Sequence, residues 1–274
     1  MKVILSRKGF DDVNGGCPSP ILPDGTMISM PIPDKSGNYS YDELAFPGGK
    51  TYAEVWKELA SDVNHIARCH LDPDIRISTR KVPDNWVPAF GQRMQAQTHL
   101  ENQHVNVGDL FIFFGYFCKT DYSNSTVSFE KGAPLIHAIY GYLQIGKIVK
   151  GLDVRQYPWH PHSDDSHIYE KGKMTNNTIY VASDQLIIDG KTTDLPGAGV
   201  LPYAEKRVLT IPGASNRTRW KLVEPFGVVP LSYHYSPDRI KNGYFQSCSR
   251  GQEFVFDEDD RVTAWAKSII LDDT

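Results

Sequence analysis

The sequence predicts an α+β fold: a mixed, largely antiparallel sheet with a few flanking helices and long ordered loops. Three observations lead there. Asp109 to Phe117 and Ile136 to Val149 are apolar runs with aromatic residues on alternate positions, as long strands require. Two other stretches, beginning near Thr51 and near Val262, repeat apolar residues at helical spacing. Aromatics at 11% together with 18 prolines describe a loop-rich, well-packed chain. The 274 residues fit one large domain spanning 1–274, with no internal repeat, linker or low-complexity stretch.

In chain order, Val3-Ile4-Leu5 is a short strand or buried start. Ser6-Arg7-Lys8-Gly9-Phe10-Asp11 then gathers a hydroxyl, a guanidinium, an ammonium and a carboxylate. Arg7 offers a planar fork for carboxylate or phosphate, and Lys8 a point charge. Gly9, Gly15 and Gly16 let the backbone turn tightly and approach a ligand. Such a cluster at a strand end predicts an anion or nucleotide site. Residues 17–50 read as ordered loops, with Pro23-Asp24-Gly25 as a turn.

Thr51 and Glu54 form a capping box, and Val55, Leu59, Val63 and Ile66 predict a helix over 52–69. His65, Cys69 and His70 lie near its end, with Asp72 and Asp74 beyond. The simpler reading is a helix C-terminus that favours histidine, since no second ligand pair follows at metal-site spacing. In the irregular segment 71–108, Gln92, Arg93 and Gln95 lead into a short helix. Gln97, His99, Asn102 and His104 offer amides and imidazoles suited to base edges.

The segment from Lys119 to Pro134 is too short for a crossover helix, so the two long strands are expected to pair antiparallel. Gly141 and Gly146 permit bends or close ligand approach. His160 and His162, in Trp159-His160-Pro161-His162-Ser163-Asp164-Asp165-Ser166-His167, share one face if extended and suit acid–base work near neutral pH. Thr178 to Val181, Leu186 to Ile188 and Lys206 to Thr210 read as short strands, with Asp189-Gly190 as a turn. Arg217, Arg219 and Trp220 suit phosphate contact beside base stacking. Ser236-Pro237-Asp238 starts a short helix. Arg250-Gly251-Gln252-Glu253 leads into the strand Phe254-Val255-Phe256. An acidic turn, Asp257 to Asp260, precedes a closing helix striped by Val262, Trp265, Ala266 and Ile269.

The net charge of −4 argues against a surface built for non-specific DNA binding. Cys17, Cys69, Cys118 and Cys248 are scattered, which argues against a zinc knuckle or a disulfide scaffold. No signal peptide or membrane span is expected.

The N-terminal motif continues through Gly15-Gly16-Cys17-Pro18-Ser19-Pro20-Ile21-Leu22-Pro23-Asp24-Gly25 and Ser29-Met30-Pro31-Ile32-Pro33. With Gly108 to Gly115, His160-Pro161-His162, Asn177 to Val181 and Arg250 to Val255, it resembles the nucleotide modification associated domain 3 family of phages and bacteria. The resemblance implies a role around modified bases or nucleotides in the cytoplasm of a bacterium or an infected host cell. The central strands also resemble PUA-like domains, which implies a partly open barrel. His160-x-His162-x-Asp164 resembles the metal loop of metallo-β-lactamase-like hydrolases, except that Asp165 stands where that family has histidine.

Three functions follow as expectations. The first is an enzyme acting on a nucleotide or base by glycosidic cleavage or group transfer. Asp11, Glu253, His160 and His162 would be catalytic. Ser6, Arg7, Lys8, Gln92, Arg217, Arg219, Arg250 and Gln252 would hold the substrate, with no cofactor. The second is a non-catalytic PUA-like reader of modified nucleic acid with an aromatic cage drawn from Phe113, Tyr116, Tyr140 and Tyr142. The third places a divalent metal at His160, His162 and Asp164. The first predicts that the N-terminal motif meets Arg250–Glu253 in space. It also predicts that His160 and His162 face the same cleft, on a loop anchored by Tyr157 and Trp159.

Overall fold

The structure is a computed structural model that describes residues 1–62, 65–123, 125–249 and 251–271. Its centre is the strand Leu110–Ser123, paired antiparallel with Ile136–Lys150. The main sheet runs in the order Glu253–Val255, Val3–Arg7, Leu110–Ser123, Ile136–Lys150, Thr178–Ala182, Ala89–Gln92. Val3–Arg7 and Ser19–Ile21 lie parallel to Leu110–Ser123. The other pairings along this path are antiparallel. The fold is therefore α+β with a mixed, largely antiparallel sheet, as the sequence predicts. Among the described residues the sheet does not close into a barrel.

The long strands are apolar at nearly every position because both faces of the sheet are covered. Leu110, Ile112 and Phe114 pack with Trp220, Phe226 and Trp265 on one face. Phe111, Phe113 and Phe117 pack with Phe90, Leu100 and Tyr180 on the other. Phe113 and Tyr140 are core residues of the second face and Tyr142 of the first, so they cannot cage one base. Gly141 and Gly146 also serve the sheet. A Cβ on Gly141 would lie 2.6 Å from Ile75, and one on Gly146 2.6 Å from the Ser183 backbone. Both glycines sit where the pairing register shifts.

Helix α1 spans Tyr52–Leu59, α2 Met94–Asn102, α3 Asp165–Ile168 and α4 Asp260–Ile270. The capping box of Thr51 and Glu54 starts α1, but Ala60 ends it ten residues before His70. Val63 lies outside the described residues. Cys69 and His70 belong instead to the strand Arg68–His70, which pairs with Ile32–Pro33 and Tyr39–Ser40. A longer helix would leave those two strands without ladder partners. It would also withdraw Cys69 from the apolar cluster around Trp56.

The expected strand over Lys206 to Thr210 is also replaced, by a 3₁₀ turn at Glu205–Arg207 followed by isolated bridges at Val208 and Thr210. The buried Arg207 side chain donates to the carbonyls of Ile269 and Pro202, which bends the chain there. Among the described residues no helix is long and apolar enough to cross a membrane.

Candidate functional site

Strand order brings the two ends of the sequence together. Ser6 pairs with Glu253 across the antiparallel edge, and the Arg7 N–H donates to the Gln252 carbonyl at 2.8 Å. The Lys8 ammonium donates to Glu253 Oε1 at 2.8 Å, and Gln92 Nε2 donates to the same oxygen at 2.8 Å. Lys8 also lies over the Phe90 ring. The expected meeting of the N-terminal motif with Glu253 is thus present. Arg250 lies outside the described residues. Glu253 is buried, and among the described residues its Oε2 and the Ser6 hydroxyl have no hydrogen-bond partner.

Beside this junction opens a polar cleft of about 350 Å³. Arg7, Lys8, Arg93 and Arg217 supply its cations, and Gln92 and Gln252 its amides. Arg7 donates to the Ser249 carbonyl, and its burial lowers its pKa while Asp11 opposes the shift. Arg217 is paired with Asp12 and stacks 4.1 Å from the Tyr116 ring. Arg219 lies over Tyr244, away from the cleft, and Trp220 is buried in the core. Trp220 therefore cannot stack on a base. Its indole N–H donates to His137 Nδ1 at 3.1 Å, which leaves that ring's proton on Nε2. Asp11 lines the cleft, and its carboxylate closes its own loop by accepting the N–H groups of Val13 and Asn14.

The same cleft is lined by His70, His162 and His167, whose ligating nitrogens lie within 4.8 Å of one another. His70 comes from the strand Arg68–His70, and His162 from the turn Pro161–Ser163. His167 comes from α3, which Asp164 caps by accepting the Ser166 N–H. Asp164 is thus spent on the helix, and His162 gathers with His70 and His167 instead. Tyr157 and Trp159 anchor the loop, as expected: the buried Trp159 packs on Tyr157, and its carbonyl accepts from Asn38 and Tyr39. His160 does not line the cleft. It is fully buried behind His162, and its Nδ1 accepts the His162 N–H at 3.2 Å.

Asp72 sits among these rings. Its Oδ1 accepts the Gly91 N–H at 2.8 Å and lies 3.3 Å from His160 Nε2, close enough for an ion-pair contact. Its Oδ2 lies 3.8 Å from Nε2 of both His70 and His162. Burial pushes the Asp72 carboxyl up, but the contact with His160 and the neighbouring imidazoles outweigh it, so it stays below the usual carboxylate range. Burial holds His70 down to about 4 and lowers His162 and His167 as well, so all three rings are neutral at pH 7. His162 Nδ1 lies 2.6 Å from Asn177 Oδ1, and Asn177 Nδ2 donates back to the His162 carbonyl at 2.7 Å. That pair orients the amide, so Nδ1 carries the proton and Nε2 keeps its lone pair.

Gly91 makes this packing possible. A Cβ there would stand 2.2 Å from His162 Cδ2 and 2.8 Å from His160 Cε1. Gly91→Ala is expected to cost about 1–3 kcal/mol of stability by overpacking and to displace both rings. Urea unfolding checks the first effect and the imidazole NMR signals the second. An unchanged midpoint would mean that the loop yields freely.

A second cavity of about 460 Å³ shares Gln92, Arg93 and Gln252 with the cleft and adds Gln95, His99, Tyr233 and Glu253. Residue spacing did not point to Asp72, His167, Asn177 or Arg93 as site residues. The signal that existed was chemical: His70-x-Asp72 and His162 to His167 are dense in ligating groups, yet neither contains a complete set.

A family model described as nucleotide modification associated domain 3 matches residues 2–257. No curated protein and no solved structure matches the chain.

Proposed function

Because the chain belongs to the nucleotide modification associated domain 3 family, we propose that it is an enzyme acting on a nucleotide or nucleobase in the cleft, by glycosidic cleavage or group transfer. One observation carries this reading. A single volume is lined both by the cations Arg7, Arg93 and Arg217 and by neutral imidazoles beside the ionised Asp72. Its size falls in the range of about 300–1,000 Å³ usual for small-ligand pockets. Burial and the neighbouring Arg217 both disfavour the charge on Arg7, and an anionic ligand beside it relieves that cost. Tyr116, beneath Arg217, is the one aromatic of the expected cage that lines the cleft.

The roles divide by chemistry. Arg7, Arg93 and Arg217 hold the phosphate, with Gln92 and Gln252 beside them. Asp72, ionised among the rings, accepts a proton from a hydroxyl or water, and His162 stands beside it in the cleft wall. Lys8 and Glu253 neutralise each other and hold the wall between the two cavities. Asp11 shapes the loop that carries Arg7.

The test is titration calorimetry with 5′-mononucleotides and short oligonucleotides, run beside product analysis by mass spectrometry. Arg217→Ala is expected to weaken nucleotide binding about 10- to 100-fold, the value of one charge-assisted hydrogen bond. Asp72→Asn is expected to retain binding and lose turnover by about 10²-fold or more. Absence of binding, or binding indifferent to both Arg7→Ala and Arg217→Ala, sinks the cleft as the nucleotide site. Binding of a modified oligonucleotide without any product would favour a reader instead.

A further inference from the structure

We propose that His70, His162 and His167 bind one divalent transition-metal ion through their Nε2 atoms, with Asp72 beside it and an open position toward the cleft. The inference deepens the reading of the cleft as a nucleotide site and rests on it for the metal's role. The metal site itself stands on geometry.

Three observations support it. First, one ring nitrogen from each of the three histidines already lies within 4.8 Å of the others. Metal–nitrogen bonds of about 2.1 Å set tetrahedral ligands about 3.4 Å apart, so only small side-chain adjustments close the set. Second, each ring has a polar group at its other nitrogen. His162 Nδ1 meets Asn177 Oδ1 at 2.6 Å, His167 Nδ1 meets Ser166 Oγ at 3.2 Å, and His70 Nδ1 faces Asp34 Oδ2 at 3.8 Å. A partner at Nδ1 that leaves Nε2 free is how metal-ligating histidines are held. Third, His162 Nε2 and Asp72 Oδ2 face each other at 3.8 Å, and both are acceptors. No Lys or Arg pairs with Asp72 among the described residues. Two buried acceptors in apposition are unfavourable unless a cation lies between them.

The donor set selects the metal class. Imidazole nitrogens suit zinc and its first-row neighbours, whereas magnesium and calcium demand oxygen ligands. Three histidines with a position left for water match open rather than structural zinc geometry. Water on such an ion ionises near neutral pH and would stand in the same cleft as the phosphate-binding arginines.

The test uses the full chain, stripped with a chelator and titrated with Zn²⁺ by calorimetry and with Co²⁺ by visible absorption. Expected is one equivalent of Zn²⁺ and the d–d bands of a four- or five-coordinate Co²⁺ site. His70→Ala and His162→Ala should each weaken Zn²⁺ binding at least about 100-fold. Asn177→Ala should weaken it about 10- to 100-fold, as loss of an orienting partner does. His104→Gln, at an exposed histidine outside the cleft, should leave it unchanged. A folded protein that takes up no Zn²⁺, or one that keeps its affinity in both histidine variants, overturns the site. If the alanine variants do not fold, the Co²⁺ spectrum of the unaltered protein decides: absence of ligand-field bands overturns it. Nucleotide titration of the metal-free protein separates the two proposals. Binding there without any metal site removes only the metal. A metal site without nucleotide binding removes the cleft's assigned substrate.

Discussion

Lys8→Met lowers stability by about 3–5 kcal/mol, the usual cost of stranding one member of a buried ion pair. Lys8 and Glu253 lie 245 positions apart and meet at 2.8 Å, with side chains 9% and 1% exposed. Removing the ammonium leaves Glu253 with one donor, Gln92 Nε2, and with Oε2 unpaired. The carboxylate must then either remain charged in a dry setting or take up a proton. Glu253→Gln strands Lys8 in the same way and is expected to destabilise comparably. The double variant Lys8→Met/Glu253→Leu should recover most of the loss, because it removes both desolvated charges together. Denaturant unfolding of the two single variants and the double variant gives the coupling directly. Additive losses across that cycle, or single losses below about 1 kcal/mol, would show that water reaches the pair.

The second large effect is with acid. Burial holds His70 and His234 at about 4 in the folded chain, against 6.5 when free. His137 is lowered well below its ordinary value for the same reason. The unfolded chain therefore takes up protons first as the pH falls. The stability tied to these neutral rings is fully present above pH 6.5 and is lost as the pH falls from 6.5 through about 4. At pH 5 the loss is about 2 kcal/mol for each of the first two rings. The structural cause is specific. His234 Nε2 accepts the Cys248 N–H at 3.0 Å, and His137 Nδ1 accepts the Trp220 indole at 3.1 Å. A proton on either nitrogen sets donor against donor. Unfolding midpoints of the chelator-stripped chain at pH 7.5, 6, 5 and 4 should fall steeply across this window, and His234→Gln should shallow the fall. A flat profile down to pH 5 would mean that these rings are already wet.

Family membership and the α+β class were legible because they live in contiguous residues. The aromatic runs Asp109 to Phe117 and Ile136 to Val149 must be buried strands wherever they pair. Thr51 and Glu54 cap a helix through bonds only three residues long. Ser6 to Asp11 suggests an anion site by composition alone, and Arg7 and Lys8 do line the cleft. Where local patterns compete with distant partners they mislead. The apolar spacing after Val55 extends a helix to Cys69, but pairing of Arg68–His70 with Ile32–Pro33 and Tyr39–Ser40 ends it earlier. Trp220 beside two arginines reads as a stacking platform, but the core claims it.

By itself the sequence determined the strands, the helix starts, the family and the cationic loop, since periodicity, capping and composition act over a few residues. Tertiary structure alone decided the site. His70, Asp72, Gly91, His162, His167 and Asn177 arise from separate segments that share no spacing. They become one cluster because Ala89–Gln92 pairs with Thr178–Ala182, and because Gly91 has no side chain to keep the two imidazoles of His160 and His162 away. A sequence pattern reports which chemical groups are available. Which of them face one another in one cleft is set by sheet order and by the space that packing leaves.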